Sequence, residues 1–334
     1  MKLWDLPSEY RELHRKYHGI DHIISMLKRL ESLRTEEDLT EMEYTCLKYA
    51  IVYHDVIYDP YANNNEEASA VEVIKRRVDY INVNTRHIIV NMIQNTAIST
   101  YNSDIKPEMK RLVHLMRYLD LMDFRERKHL LMSNFISIMQ EFQFVSYPVF
   151  QENNLNVIRI LKDYIDIDTY IWYTNWIKSF TPRIGVFTGS FNPFHIGHMS
   201  ILEQAERDFD KVIIMHPTLG PDGDALIRNT LPFHEIIAFD GLLINHLMKI
   251  MTYASFTMIR GLRDGYDLTY ESKMYNMNQY LGLSIPTVYY KTDKDFISST
   301  NVRDLMNIDK NTMEMFIPHK YDYYQGEGRK IQLK

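Results

Sequence analysis

RIGVFTGSFNPFHIGHM, Arg183 to Met199, decides the fold of the C-terminal half. The apolar run Ile184-Gly185-Val186-Phe187 predicts a buried strand. A turn follows at Gly189-Ser190, and Asn192-Pro193-Phe194 cannot be regular helix, because proline lacks an N–H and restricts the residue before it. Helical spacing starts around Gly197, with Ile201, Leu202 and Ala205 on one face and Glu203, Gln204 and Glu206 facing out. Lys211-Val212-Ile213-Ile214-Met215 then predicts a second strand. A strand–loop–helix–strand unit of this kind is a right-handed βαβ crossover. The N-terminus of its helix, with free N–H groups and the positive end of the helix dipole, favours an anion such as phosphate.

These residues carry a resemblance. GSFNPFHIGH resembles the (T/H)xGH signature of the nucleotidylyltransferase superfamily. IRGLRDGYDLTYE at Ile259–Glu271, the Met277-Asn278 pair, FISST at Phe296–Thr300 and Phe316-Ile317-Pro318 follow in order, and the set is similar to phosphopantetheine adenylyltransferase. The resemblance runs from Arg183 to Tyr324. It implies a doubly wound, Rossmann-like α/β domain over residues 183–334. A class I aminoacyl-tRNA synthetase also has a HIGH-type motif, but this domain has no KMSKS-like stretch and is too short.

The implied reaction is adenylyl transfer: in-line attack by an acceptor phosphate on the α-phosphorus of ATP, with pyrophosphate leaving. Such chemistry needs two positioned anions and stabilised charge, and no covalent nucleophile. His198, at the helix start, is placed to donate to the α-phosphate, and His195 is expected in the same pocket. By resemblance Arg263 binds the ATP phosphates and Glu271 the nucleotide, with Ser190 and Phe191 at the turn where both substrates meet. Ser298, Ser299 and Thr300 offer hydroxyls and N–H groups at the start of a further helix, and Arg303 lies one turn on. Mg²⁺ bound with ATP would neutralise the β- and γ-phosphates. Two plainer readings stay open here: Ser298 to Thr300 as a helix N-cap, and Arg260 and Arg263 as surface charges.

For the acceptor, the resemblance points to Ser190, Arg260, Met277 and Asn278. The family's lysine after the second strand has no counterpart, since HPTLGPDGDALIRNTLP contains none; Arg228, the cation of that loop, is expected to replace it. Nicotinamide mononucleotide is the alternative acceptor. GSFNPFHIGH and ISSTNVR suit that sister family equally, whereas RGLRDGYDLTYE does not.

The whole chain has 334 residues, room for two domains. Its apolar content of 45% supports sizeable cores, and its formal charge of -6 argues against a general nucleic-acid surface. A single cysteine, Cys46, excludes an intramolecular disulfide and a cysteine-rich zinc site. The N-terminus is charged with no apolar core, so no signal peptide is expected, and no apolar run approaches membrane-spanning length. The expected location is the cytoplasm, without a membrane partner, and a homo-oligomer stays open.

Residues 1–178 predict an all-α domain. Gly19 is its one glycine, and apolar residues recur at helical spacing, as in Ile23, Met26, Leu27 and Leu30 or Leu112, Leu115, Met116 and Leu119. Thr181-Pro182 marks the expected boundary. His18 and His22 are expected one turn apart on a helix, His54-Asp55 ends another helical pattern, and Asp120 lies in RYLDLMDF. YHGIDHI, AIVYHDVIYDP and NEEASA together resemble a branch of the HD-superfamily metal-dependent phosphohydrolases. By that resemblance His22, His54, Asp55 and Asp120 are metal ligands, and His18, Glu66 and Glu67 are second-shell or substrate groups. Mixed nitrogen and carboxylate ligation suits a divalent transition metal (Mn, Fe, Co, Ni or Zn). Each histidine taken alone reads equally as a packing residue. Members of this branch often carry a Thr followed by a His after the NE motif, whereas Thr96 is followed by Ala97, Ile98 and Ser99. The helical domain is therefore expected as a second, hydrolytic activity, or as a nucleotide-sensing or assembly module.

Overall fold

The computed structural model describes residues 6–76, 82–101, 104–125, 128–263, 285–309 and 314–319, with 269, 271–273, 276 and 280 between them. The chain divides into two compact units: Met1–Glu141 with Val149–Ser179, and Phe142–Pro148 with Phe180–Lys334. The expected split into 1–178 and 183–334 therefore needs one change, because Phe142–Pro148 groups with the second unit. The reason is a buried ammonium. Lys211 is 1% exposed and donates to the backbone oxygens of Gln143 and Val145, and the Gln143 side chain accepts from Val212 N at 3.0 Å.

The first unit is helical: α1 (Ile20–Glu36), α2 (Glu41–Tyr53), α3 (Asn65–Lys75), α4 (Val83–Gln94), α5 (Lys110–Asp120), α6 (Lys128–Glu141), α7 (Tyr147–Ile160) and α8 (Ile167–Ser179). Helix α7 opens on two residues that group with the second unit. A Thr40–Glu43 capping box starts α2, satisfying donors that a helix end leaves open. α2 packs against α1, α3, α4 and α5, burying Met26, Leu30, Leu47, Ile51, Ile89, Val113 and Met116. One sequence expectation is corrected. His18 is not on a helix with His22, since Gly19, in extended conformation, is the N-cap of α1 and the helix starts one residue later.

In the second unit, β1 (Ile184–Thr188), α9 (Ile196–Asp208), β2 (Lys211–Pro217), α10 (Pro221–Thr230), β3 (Glu235–Phe239), α11 (Leu243–Met251), β4 (Phe256–Leu262), β5 (Thr287–Lys291) and α12 (Ser299–Ile308) follow in order. Among the described residues the strands form one parallel sheet of order β3-β2-β1-β4-β5. Val186 pairs in register with Ile213 on one side and Met258 on the other. The period of two in a strand sends alternate side chains to opposite layers. Phe187, Val212, Ile214 and Ile259 pack with Leu202 and Ala205 of α9 and Ile227 of α10. Val186, Ile213, Met215 and Met258 pack with Leu247 and Ile250 of α11. β1, central and covered on both faces, is therefore buried at all five positions. The strand order reverses between β1 and β4, and in such sheets ligands bind at the carboxyl ends of the strands beside that switch.

The stretch expected as a Gly- and Pro-rich loop after β2 is instead α10. Gly220 holds a left-handed φ of 84°, Pro221 takes the first turn, and Asp224 accepts from Leu219 N at 3.0 Å.

Candidate functional site

A cleft of about 500 Å³ opens where β1 and β4 end. The first helix start in it, that of α9, is made by two histidines. His195 is the N-cap, and its Nδ1 accepts from Gly197 N at 3.2 Å. His198 Nδ1 accepts from His195 N at 3.3 Å. The rings stack with centroids 3.7 Å apart and planes 22° from parallel. Gly197 eases this approach, since a Cβ there would lie 3.0 Å from Ile297 Cγ2 and 3.1 Å from the His195 ring. Phe191 and Phe194 close on His198 at centroid distances of 5.0 and 5.3 Å. Phe191 adopts φ 44°, a left-handed conformation that a bulky residue keeps only where its surroundings hold it.

Because each Nδ1 accepts, each proton sits on Nε2. Both rings are neutral near pH 7. Desolvation, then the charge of Arg263, pulls His195 down to about 4. Desolvation, followed by His195 and Arg263, pushes His198 well below the usual imidazole range. The result is two adjacent uncharged donors at a helix start.

The second helix start in the cleft is that of α12. Ser298 is its N-cap, accepting from Asn301 N at 3.1 Å; Ser299 donates to Pro193 O at 3.1 Å. Arg303 donates to Thr300 Oγ1 at 3.1 Å and to Asn192 O. Ser298 thus serves as the N-cap, Ser299 spends its proton on the protein, and the hydroxyls of Ser298 and Thr300, which here only accept, keep a proton to donate. First-turn N–H groups and Arg303 add anion-binding capacity at the same helix start. Ser190, Phe191, Arg263 and Glu271 also line the cleft.

Arg260 and Glu271 were expected on different substrates. In the cleft they pair with each other: Arg260 Nε lies 2.7 Å from Glu271, and Nη1 donates to Thr188 O and Oγ1 at 3.1 and 2.9 Å. Thr188 went unnoticed in the sequence, although it directly precedes the Gly-Ser turn. Arg228 is not among the cleft-lining residues. It sits in the last turn of α10 and donates to Ile236 O at 3.4 Å, so the expected replacement for the family's lysine is not brought to the site. Met277 and Asn278 lie outside the described residues.

A cytidylyltransferase-like family model matches residues 186–235, the segment from β1 into β3. Phosphopantetheine adenylyltransferase of Brucella anthropi is 32% identical over 153 residues, covering 40% of this chain and 91% of its own length. That of Mycoplasma capricolum subsp. capricolum is 34% identical over 134 residues, covering 37% and 96%. The C-terminal part of this chain belongs to the phosphopantetheine adenylyltransferase family. The chain is a nucleotidyltransferase of the adenylyl-transferring kind. No described helix is long and apolar enough to cross a membrane.

The matched relatives take in about 40% of the chain; the helical unit brings together a cluster of titratable side chains. His22 lies in the first turn of α1, His54 is the C-cap of α2 and Asp120 ends α5. Their ligand atoms lie within 4.8 Å of one another. His54 Nδ1 is held against Ile51 O at 2.9 Å, which leaves Nε2 for the centre. His22 Nε2 and His54 Nε2 stand 3.4 and 3.5 Å from Asp120 Oδ1, and both are buried without a hydrogen-bond partner. Asp55 lies beside the group, 3.0 Å from His54 Nε2.

Burial would raise the Asp120 carboxyl, but His22 and His54 outweigh it and hold it below the usual carboxylate range. Burial would likewise lower His54, and Asp55 and Asp120 outweigh that to raise it. The carboxylates thus demand positive charge, which a proton on His54 or a metal cation would meet. Two orphaned imidazole nitrogens converging with a carboxylate fit a transition metal. Glu66, half-buried in the first turn of α3, is raised by burial and by the charges of Asp55 and Asp120; Glu67 is exposed.

Proposed function

We propose that the second unit transfers the adenylyl group of ATP to a phosphopantetheine-like acceptor. The observation that carries this is the convergence of two neutral Nε2–H donors, two helix N-termini and Arg303 in one cleft at the sheet's switch point. An acceptor phosphate oxygen forms a bond to the α-phosphorus while the bond from that phosphorus to pyrophosphate breaks. His198 and His195 donate to the α-phosphate oxygens as charge builds there, with no proton to surrender. The N-terminus of α12 and Arg303 hold the departing pyrophosphate. Arg263 adds positive charge beside the same phosphates. Arg260, fixed by Thr188 and Glu271, serves the acceptor side. The likeness to phosphopantetheine adenylyltransferases supports that choice of acceptor. The test is pyrophosphate release from ATP and Mg²⁺ with 4′-phosphopantetheine, against nicotinamide mononucleotide as the alternative acceptor. Release with nicotinamide mononucleotide alone would replace the acceptor and keep the reaction.

We further propose that the helical unit is a metal-dependent phosphohydrolase of HD type, on the orphaned Nε2 atoms of His22 and His54. His22, His54, Asp55 and Asp120 would hold the metal, with Glu66 beside them. The metal would lower the pKa of a bound water for attack on phosphorus. The ligands' own part is fixed by the fold, since the Ile51 carbonyl sets the His54 tautomer and the ends of α2 and α5 bring His54 and Asp120 together. Metal analysis of the purified chain, with phosphatase assays on nucleotides and small phosphoesters, tests this reading. Bound metal without turnover would point to a sensing or assembly role.

A further inference from the structure

The helical unit holds a cleft of about 650 Å³ that neither proposed activity uses. Its walls come from the end of α1, from α5 and from the short turn Leu161–Tyr164, and none of His22, His54, Asp55 and Asp120 lines it. A volume of this size is that of a small-molecule site. Arg117 of α5 forms part of the wall and is 1% exposed. An arginine buried this far is normally paired with a carboxylate. Here Nε donates to Asn95 O at 2.8 Å, Nη1 to Tyr164 OH at 2.8 Å, and Nη2 to Thr100 O and Oγ1 at 2.9 and 3.1 Å. All four acceptors are uncharged, and no carboxylate among the described residues pairs with this guanidinium. The Tyr101 ring, 4.2 Å from Cζ, offsets part of the charge. One N–H of Nη1 has no acceptor among the described residues.

A second guanidinium reaches the same tyrosine. Arg125 donates to Tyr164 O at 3.3 Å, lies 4.6 Å from the Tyr118 ring centroid, and likewise pairs with no carboxylate among the described residues. Both arginines line the cleft, together with Tyr101, Tyr118 and Tyr164. The carboxylates of the cleft are placed differently. Glu36 is spent on a bidentate pair with Arg29, at 2.7 and 2.8 Å. Glu37 and Asp163 are exposed, where water and salt screen them. The uncompensated charge that lies out of water is therefore positive, and in a low-dielectric wall it acts more strongly than the exposed ones.

We propose that this cleft is a separate binding site for a nucleoside monophosphate, its phosphate meeting Arg117 and Arg125 and its base lodged against Tyr118 and Tyr164. The phosphate supplies the counter-charge that both guanidinium groups lack, through charge-assisted hydrogen bonds from the open Nη1–H and from Arg125. The space is far larger than a bare phosphate needs, and its tyrosine walls suit a planar ring. The site rests on neither the adenylyl-transfer reading nor the metal reading, since it shares no residue with either.

The test is equilibrium dialysis of labelled AMP against the full chain and its single variants. A class of AMP sites should persist in Asp120→Ala and in Arg303→Ala, and so belong to neither the metal-type cluster nor the adenylyl-transfer cleft. That class should weaken by about tenfold or more in Arg125→Ala, the range for a hydrogen bond to a charged group, and by about fivefold or more in Tyr118→Ala, the lower range for a lost base–aromatic contact. Unlabelled adenosine should compete for it at least about tenfold less well than unlabelled AMP. Loss of all AMP binding in Asp120→Ala or in Arg303→Ala assigns the nucleotide to one of those sites and overturns the proposal, leaving their own readings standing. An affinity unchanged in both Arg125→Ala and Tyr118→Ala overturns it too, as does adenosine competing as well as AMP. Arg117→Lys, which keeps the charge and loses the planar fork, should weaken AMP as Arg125→Ala does; should that buried variant fail to fold, Arg125→Ala and Tyr118→Ala still decide.

Discussion

The backbone N–H of His195 donates to Nδ1 of His198 at 3.3 Å, and this bond decides which proton His198 carries. A histidine whose Nδ1 accepts from the main chain has its proton on Nε2 and cannot turn the ring without leaving a buried donor unpaired. His195 repeats the device with Gly197 N. The motif HIGH is thus a set of local bonds as much as a pair of side chains: the N–H groups of His195 and Gly197 fix the two Nδ1 atoms.

His195 should therefore titrate far below an ordinary histidine, near the value of about 4 set by desolvation and Arg263. The ordinary unfolded value is about 6.5. Above that pH both states are neutral and the stability tied to the neutral ring is fully present. As pH falls from 6.5 through 4, the unfolded chain takes up a proton that the folded chain refuses, and stability is lost. An NMR titration of the ring C–H signals checks this, with a midpoint near 6.5 as the contrary result. His195→Asn should flatten the acid-side fall in melting temperature.

Thr188→Val should impair the reaction through Arg260. The variant keeps shape and removes the hydroxyl that accepts from Nη1 at 2.9 Å. A hydrogen bond to a charged group contributes about 1.5–3 kcal/mol, so kcat/KM should fall roughly tenfold or more. Arg228→Ala, by contrast, should leave the acceptor KM within about twofold, because that side chain is held against Ile236 O away from the cleft. Steady-state kinetics on the two variants separates the roles.

The contrast between Arg260 and Arg228 shows what the sequence could carry. The strand IGVFT, the HIGH turn and the order of later motifs are local patterns, and the sheet and both helix starts were legible in them. The partners of charged side chains were not. Arg260 meets Thr188 across 72 positions, and His18 meets Glu141 across 123. Spacing cannot announce such pairs, and along the chain Arg228 is simply the cation within reach. Gly19 did hold a readable signal, since a lone glycine before a helical run commonly marks a cap. The membership of Phe142–Pro148 in the second unit was hidden for the same nonlocal reason, resting on Lys211, 66 and 68 positions on from the carbonyls it meets.

Lys211→Met should destabilise the second unit by about 3 kcal/mol or more. The ammonium lies 2.9 Å from Glu235 and bonds two carbonyls, and breaking a buried pair from one side leaves the other charge uncompensated. Denaturant unfolding measures the loss. A change below about 1 kcal/mol would mean that water replaces those bonds without penalty.

Asp120→Ala and His54→Ala should each abolish transition-metal binding to the full chain while pyrophosphate release continues, since the cluster belongs to the helical unit. Chelation should lower the melting temperature of the wild-type chain and leave that of Asp120→Ala unchanged. Metal analysis by mass spectrometry, paired with the adenylyl-transfer assay on the same preparations, reads both effects.

The most direct measurement is the single-turnover rate of pyrophosphate release from ATP, Mg²⁺ and 4′-phosphopantetheine, in the wild-type chain and in His198→Ala. A positioned donor to charge developing in the transition state typically contributes about 10²–10³-fold, so the variant should be slower by that factor, with ATP affinity changed much less. Equal rates in the two proteins would contradict the assignment of His198, and with it the adenylyl-transfer role given to this cleft.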